Sequence, residues 1–66
     1  MEIMINGTKE NIADNTNLLQ FLISKQINPH TVVVEHNLNI VKNSEWSNIV
    51  LKENDTLEVL RFVGGG

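Results

Sequence analysis

Residues 56–66 read Thr56-Leu57-Glu58-Val59-Leu60-Arg61-Phe62-Val63-Gly64-Gly65-Gly66. Residues 56–63 form a predicted strand. Side chains alternate across it, so Leu57 and Val59 share one face while Glu58, Leu60 and Phe62 share the other. Three glycines follow without a break. Glycine has no Cβ, so a tail of this kind can extend into a cleft too narrow for any side chain. Taken alone, it also suits a frayed and idle terminus. The alternative places chemistry at the main-chain carboxylate of Gly66, and the rest of the chain decides between them.

Working outward from that strand, Glu2–Asn6 alternates, with Ile3 and Ile5 on one side and Glu2, Met4 and Asn6 on the other. The pattern predicts a half-buried strand. Asn6-Gly7 is a strong hairpin signal, because both residues tolerate positive φ, and residues 8–12 return as a second strand. Thr16 is the expected N-cap of a helix over about 17–26. Leu18, Leu19, Leu22, Ile23 and Ile27 are read as its apolar stripe, and Asn28-Pro29 as its stop. Thr31–Asn37 is β-branched at four of seven positions and predicts a third strand. Asn37-Leu38-Asn39 is a turn, Ile40-Val41 a short fourth strand, residues 44–48 a helical turn, and residues 53–55 a polar turn before the last strand.

The order is β-β-α-β-β-β with one main helix, an α+β chain. A helix that follows a hairpin buries its stripe against one face of the sheet. If the last strand returns beside the first, that pairing is parallel and the long excursion between them is the crossover. The arrangement is a β-grasp: a mixed sheet of about five strands, with a domain over 1–63 and a glycine tail over 64–66.

Composition narrows the function. The 66 residues support one domain with a thin core. There are no cysteines, hence no disulfide, thiol nucleophile or thiolate metal site. Five basic and eight acidic residues give a net charge of −3, the wrong balance for gripping nucleic acid. No apolar run approaches a membrane span, and Met1-Glu2-Ile3-Met4-Ile5 lacks the basic flank of a signal peptide, so the expected location is cytoplasmic.

The side chains offer little catalysis. His30 and His36 are expected to be exposed strand-edge residues, with no ligand cluster at metal spacing. Seven serines and threonines are scattered without a nucleophile elbow, and no glycine-rich loop precedes a helix. Asp14, Glu35, Glu45, Glu53, Asp55 and Glu58 form no evident acid–base couple, and most are read as surface charges. Trp46 is read as a plug at the end of the core. The chain therefore looks like a protein acted upon by others. Met4, Leu60 and Phe62, on the outer faces of the first and last strands, are the expected partner-binding patch at the root of the tail.

Val32-Val33-Val34-Glu35-His36-Asn37, Glu45-Trp46, Leu51 with Asp55, Leu57-Glu58-Val59 and Arg61-Phe62-Val63-Gly64-Gly65-Gly66 together closely resemble the ThiS family, the sulfur carriers of thiamine biosynthesis. The Asn6-Gly7 hairpin and the Leu18-Leu19 helix fit as well, so the resemblance spans essentially the whole chain. It implies a ubiquitin-like carrier that is not itself an enzyme and binds no cofactor or metal. A ThiF-like adenylyltransferase would use ATP and Mg²⁺ to adenylate the Gly66 carboxylate. Sulfur derived from a cysteine desulfurase would convert it to a thiocarboxylate, and a ThiG-like thiazole synthase would take that sulfur. Gly64, Gly65 and Gly66, with Val63, Phe62, Leu60 and Met4, would then meet these partners. Two alternatives share the fold and tail: a MoaD-like carrier for molybdopterin synthesis and a ubiquitin-like modifier joined to lysines. An interaction domain with an inert tail is a third.

Overall fold

The computed structural model describes residues 1–61. Strand β1 (Glu2–Ile5) turns at Asn6-Gly7 into β2 (Thr8–Asn11), and helix α1 (Leu18–Ser24) follows. A 3₁₀ turn (Pro29–Thr31) leads into β3 (Val32–His36), and β4 (Asn39–Val41) pairs back onto it. A second 3₁₀ segment (Asn43–Asn48) precedes β5 (Thr56–Arg61). The sheet order is β2-β1-β5-β3-β4. β5 lies at the centre, parallel to β1 and antiparallel to β3, and the other pairings are antiparallel. This is the expected β-grasp.

Both hairpins use two-residue turns with left-handed backbone at each central position. Asn6 and Gly7 have φ of 47° and 81°, and Asn37 and Leu38 have 50° and 74°. Turns of this hand match the twist of the strands they join.

α1 differs from expectation at both ends. Its N-cap is Asn17, not Thr16. The Asn17 side chain accepts from the Gln20 N–H at 2.7 Å, and the Asn17 N–H donates to Gln20 Oε1 at 3.0 Å. This reciprocal capping box satisfies two donors that a lone threonine would leave half served, while the Thr16 hydroxyl donates to Ala13 O instead. The helix ends at Ser24, before Asn28-Pro29, because Gln26 enters the left-handed region at φ 61°. Gln26 N–H then reaches Ile23 O and Ile27 N–H reaches Leu22 O, a Schellman close. The buried stripe is Leu18, Phe21 and Leu22, whereas Ile23 is 57% exposed. Phe21 was absent from the expected stripe.

The core joins Ile3, Leu18, Phe21, Leu22, Val32, Val34, Trp46, Leu51 and Leu57. Trp46 is buried as expected, and its indole N–H donates to Val41 O at 3.1 Å. Leu18 N–H bonds Ile49 O and Leu51 N–H bonds Thr16 O, pinning the start of α1 to the segment that feeds β5. Among the described residues no helix is long and apolar enough to cross a membrane.

Candidate functional site

β5 carries the chain into Phe62, Val63 and the three glycines, which lie outside the described residues. The site is therefore built from what holds β5 and from what its open face presents.

β1 is short, and its main chain turns away after Ile5. The parallel ladder nevertheless continues. Asn6 N–H donates to Leu57 O at 2.9 Å, and Asn6 Oδ1 then accepts from Val59 N–H at 2.8 Å. In a regular parallel ladder that second acceptor would be a main-chain carbonyl. Here a side-chain amide takes its place and lengthens the pairing beyond the end of β1. Asn6 Nδ2 also points to Val59 O, at 3.4 Å.

The opposite end of β5 is held by a polar knot. Asp55 is buried, its side chain only 10% exposed. Its Oδ2 accepts from His36 Nε2 at 2.8 Å and from Lys52 N–H at 2.9 Å, and its Oδ1 accepts from Asn37 Nδ2 at 3.0 Å. Burial pushes the Asp55 carboxyl up, but the bonds from Asn37, His36 and Lys52, with the charge of His36, outweigh it and hold the group below the usual carboxylate value. Asn37 Oδ1 accepts from Thr56 N–H at 2.9 Å, so the β3–β4 turn is tied directly to the first residue of β5.

This corrects two expectations. Asp55 is not a solvated charge. His36 is not an exposed edge residue, because β3 lies inside the sheet between β5 and β4 and the imidazole is half-buried against Asp55. His30 is exposed, in the 3₁₀ turn before β3.

Among the described residues, no other element covers the face of the sheet away from α1. Leu60 is 55% exposed there, opposite Val33 of β3. Met4 occupies the same face of β1 and is half-buried. β1 and β5 are neighbours, as the expected patch requires, but the register sets Met4 beside Thr56. Leu60 lies four positions further along β5, about 13 Å away, with Glu58 between them. Leu38 and Ile40, which the sequence reading placed in a turn and a short strand but not in the patch, add exposed apolar surface at 86% and 71%. Their one sequence signal was a leucine in a turn position that usually holds glycine.

A β5 held at both ends, beside an open sheet face, is a rigid mount for whatever follows Arg61. The comparisons with known proteins agree in direction. A model of the ThiS family matches residues 3–66. The sulfur carrier protein ThiS of Bacillus subtilis is 31% identical over 65 residues, covering 97% of this chain and 98% of that one. The crystal structure of the thiamine biosynthesis protein ThiS from Geobacter metallireducens superposes with a TM-score of 0.87 at 26% identity, covering both chains fully. A thiazole synthase of Magnetococcus marinus is 36% identical over all 66 residues, but this chain spans only 20% of its length. The chain belongs to the ThiS family of sulfur carriers in thiamine biosynthesis.

Proposed function

We propose that the working atom of this protein is the carbonyl carbon of Gly66. The carboxylate attacks the α-phosphate of ATP on a ThiF-like adenylyltransferase that supplies Mg²⁺. A P–O bond forms, pyrophosphate leaves, and the product is an acyl-adenylate. The outer sulfur of a persulfide derived from a cysteine desulfurase then attacks the acyl carbon and displaces AMP, giving an acyl disulfide, and a partner thiol attacks the sulfur of that disulfide that is not bonded to the acyl carbon, forming a new disulfide and releasing the thiocarboxylate. Thiazole synthase takes that sulfur in the cytoplasm. The carrier contributes no catalytic side chain and is a substrate at each step. An α-carboxyl group ionises near pH 3.3–3.7, so it is an anion and a competent nucleophile at neutral pH.

The observation that carries this reading is the placement of β5. It is the central strand, clamped by Asn37 and Asp55 at its start and by Asn6 near its end, and the sequence continues from Arg61 through Phe62 and Val63 into the glycines. Five residues can span at most about 17 Å, enough to cross the wall of a partner's cleft. Ordering each glycine costs about 1–2 kcal/mol, which docking of the folded body, Leu60 included, must offset. The thiazole synthases of Magnetococcus marinus and Paramagnetospirillum magneticum each contain a stretch similar to this whole chain, which supports thiazole synthase as the receiving partner.

Intact-protein mass spectrometry tests the reading. Incubation with the adenylyltransferase, ATP, Mg²⁺ and a sulfur donor should raise the mass by the difference between sulfur and oxygen. A Gly65→Trp chain should fold normally and gain no sulfur. Normal loading of that variant would remove the steric basis of the proposal.

A further inference from the structure

The two hairpin turns follow the same main-chain path and carry different chemistry. Asn6 and Asn37 each stand first in a left-handed two-residue turn, and both are exposed. The residue after Asn6 is Gly7, whereas Leu38 follows Asn37. Residues 6–7 are the only Asn-Gly pair in the chain. An asparagine carboxamide is open to attack by the main-chain nitrogen of the next residue. A side chain on that residue shields the nitrogen, and glycine has none. The surroundings are open too, because even a Cβ at Gly7 would meet nothing within 4 Å. Among the described residues the Gly7 N–H donates to no other main-chain group.

What keeps the two groups apart is β5. Asn6 Oδ1 accepts from Val59 N–H at 2.8 Å, and Asn6 Nδ2 lies 3.4 Å from Val59 O. Asn6 N–H is itself bonded to Leu57 O at 2.9 Å. The carboxamide thus faces across the ladder to β5, while Gly7 leads the other way into β2. Ring closure has to turn the carboxamide off Val59. The reaction is therefore closed while the end of β5 is paired, and it opens with local release of that pairing.

We propose that Asn6 is a deamidation site gated by its bond to Val59, and that the isoaspartate formed there makes the release of β5 permanent. Gly7 nitrogen attacks Asn6 Cγ and gives its proton to water. The Cγ–Nδ2 bond breaks, and ammonia leaves with a proton from solvent. The product is a five-membered succinimide, and no oxidant or cofactor is consumed. Water then opens either side of the ring. Cleavage between Gly7 nitrogen and Cγ gives aspartate, which keeps an oxygen where Oδ1 stood. Cleavage between that nitrogen and the main-chain carbonyl carbon gives isoaspartate, whose main chain runs through Cβ and Cγ. The turn gains one main-chain atom, and the carboxylate left on Cα is one carbon too short to reach Val59 as Oδ1 does. Asn37 is the internal control. Leu38 shields the nitrogen there, and the carboxamide is held by Thr56 N–H at 2.9 Å and by Asp55 at 3.0 Å.

The test incubates the full-length protein in mildly alkaline buffer, folded and in guanidinium chloride, and maps its peptides against synthetic isoaspartyl standards. Asn6 should be the first site to react in both conditions, about tenfold or more slowly in the folded protein. Asn37 should stay intact over the same interval, and in unfolded Leu38→Gly it should react as fast as Asn6. In the purified isoaspartyl form the Val59 amide should exchange about tenfold or more faster than in unreacted protein, with Thr56 unchanged. Equal Asn6 rates in the folded and unfolded chains overturn the gating. Another asparagine reacting first in either condition overturns the site. Unchanged exchange at Val59 in the isoaspartyl form overturns the release of β5.

Discussion

The two hairpin turns are near copies in geometry and differ in one side chain. Asn6-Gly7 and Asn37-Leu38 share the same left-handed backbone, within about ten degrees at each position. Each asparagine also reaches across to β5, Asn6 Oδ1 to Val59 N–H at 2.8 Å and Asn37 Oδ1 to Thr56 N–H at 2.9 Å. The central strand is thus held near its two ends by the same device. At the second turn position the chain places glycine in one case and leucine in the other. Glycine is the choice that folding alone favours. The leucine gains almost no packing in return, being 86% exposed, so folding alone favours the residues of the first turn and not those of the second.

The sharpest way to break the symmetry is at Asp55, which supports the second turn and has no counterpart at the first. Asp55→Ala leaves His36, Asn37 and the Lys52 N–H without their acceptor. The loss should be on the order of 3 kcal/mol, a fall in melting temperature of roughly 10–20 °C for a domain of this size. Acid probes the same group. A carboxyl whose folded pKa is depressed stabilises the protein fully above its unfolded value, near 3.9, and that contribution disappears as pH falls through the lower folded value. Urea midpoints measured from neutral pH to about pH 2 should therefore drop at the acid end. Asp55→Asn, which has no charge to lose, should flatten that drop. An identical acid profile in the two proteins would show that Asp55 does not govern it.

Asn6→Ala comes next. It removes the acceptor of Val59 N–H and the donor to Val59 O, and takes from the turn a residue that tolerates positive φ. A loss of about 1–2 kcal/mol is expected. Hydrogen exchange should be faster at Val59 than at Thr56, because only the far end of β5 is released. Equal exchange at both positions would mean the strand does not depend on this side chain.

Much of this frame was legible in the sequence because it follows from local rules. Alternation placed Ile3 and Leu57 inside, Asn6-Gly7 announced the first hairpin, and the lone Trp46 filled the core. The knot around Asp55 was not legible. Asp55 is an acidic residue in a polar turn, and its burial depends on β3 and β5 aligning so that His36 and Asn37 arrive beside it from 19 and 18 positions away. Register across a sheet is a long-range property, and no local pattern encodes it. Phe21 was missed because Leu19, Leu22 and Ile23 made an equally good stripe. The choice between faces was settled by how α1 packs on the sheet, which turns Leu18, Phe21 and Leu22 into the core and leaves Ile23 outside. At the site, the glycines and the exposed side of Leu60 were readable from composition and alternation. The separation of Met4 from Leu60 appeared only with the register.

The smallest effects come from exchanging the residues that distinguish the turns, and their signs matter more than their size. A Cβ at Gly7 would meet nothing within 4 Å, so Gly7→Ala carries only the penalty of a left-handed L-residue, about 1 kcal/mol. Leu38→Gly runs the other way. It relieves the same strain, gives back part of the gain through the greater freedom of the unfolded glycine, and loses almost no packing because Leu38 is 86% exposed. A net gain of about 0.5 kcal/mol is expected, visible as a rise of a few degrees in melting temperature. If Leu38→Gly destabilised the protein as Gly7→Ala does, the leucine would be supporting the fold, and the contrast between a turn whose residues folding favours and one whose residues it does not would collapse.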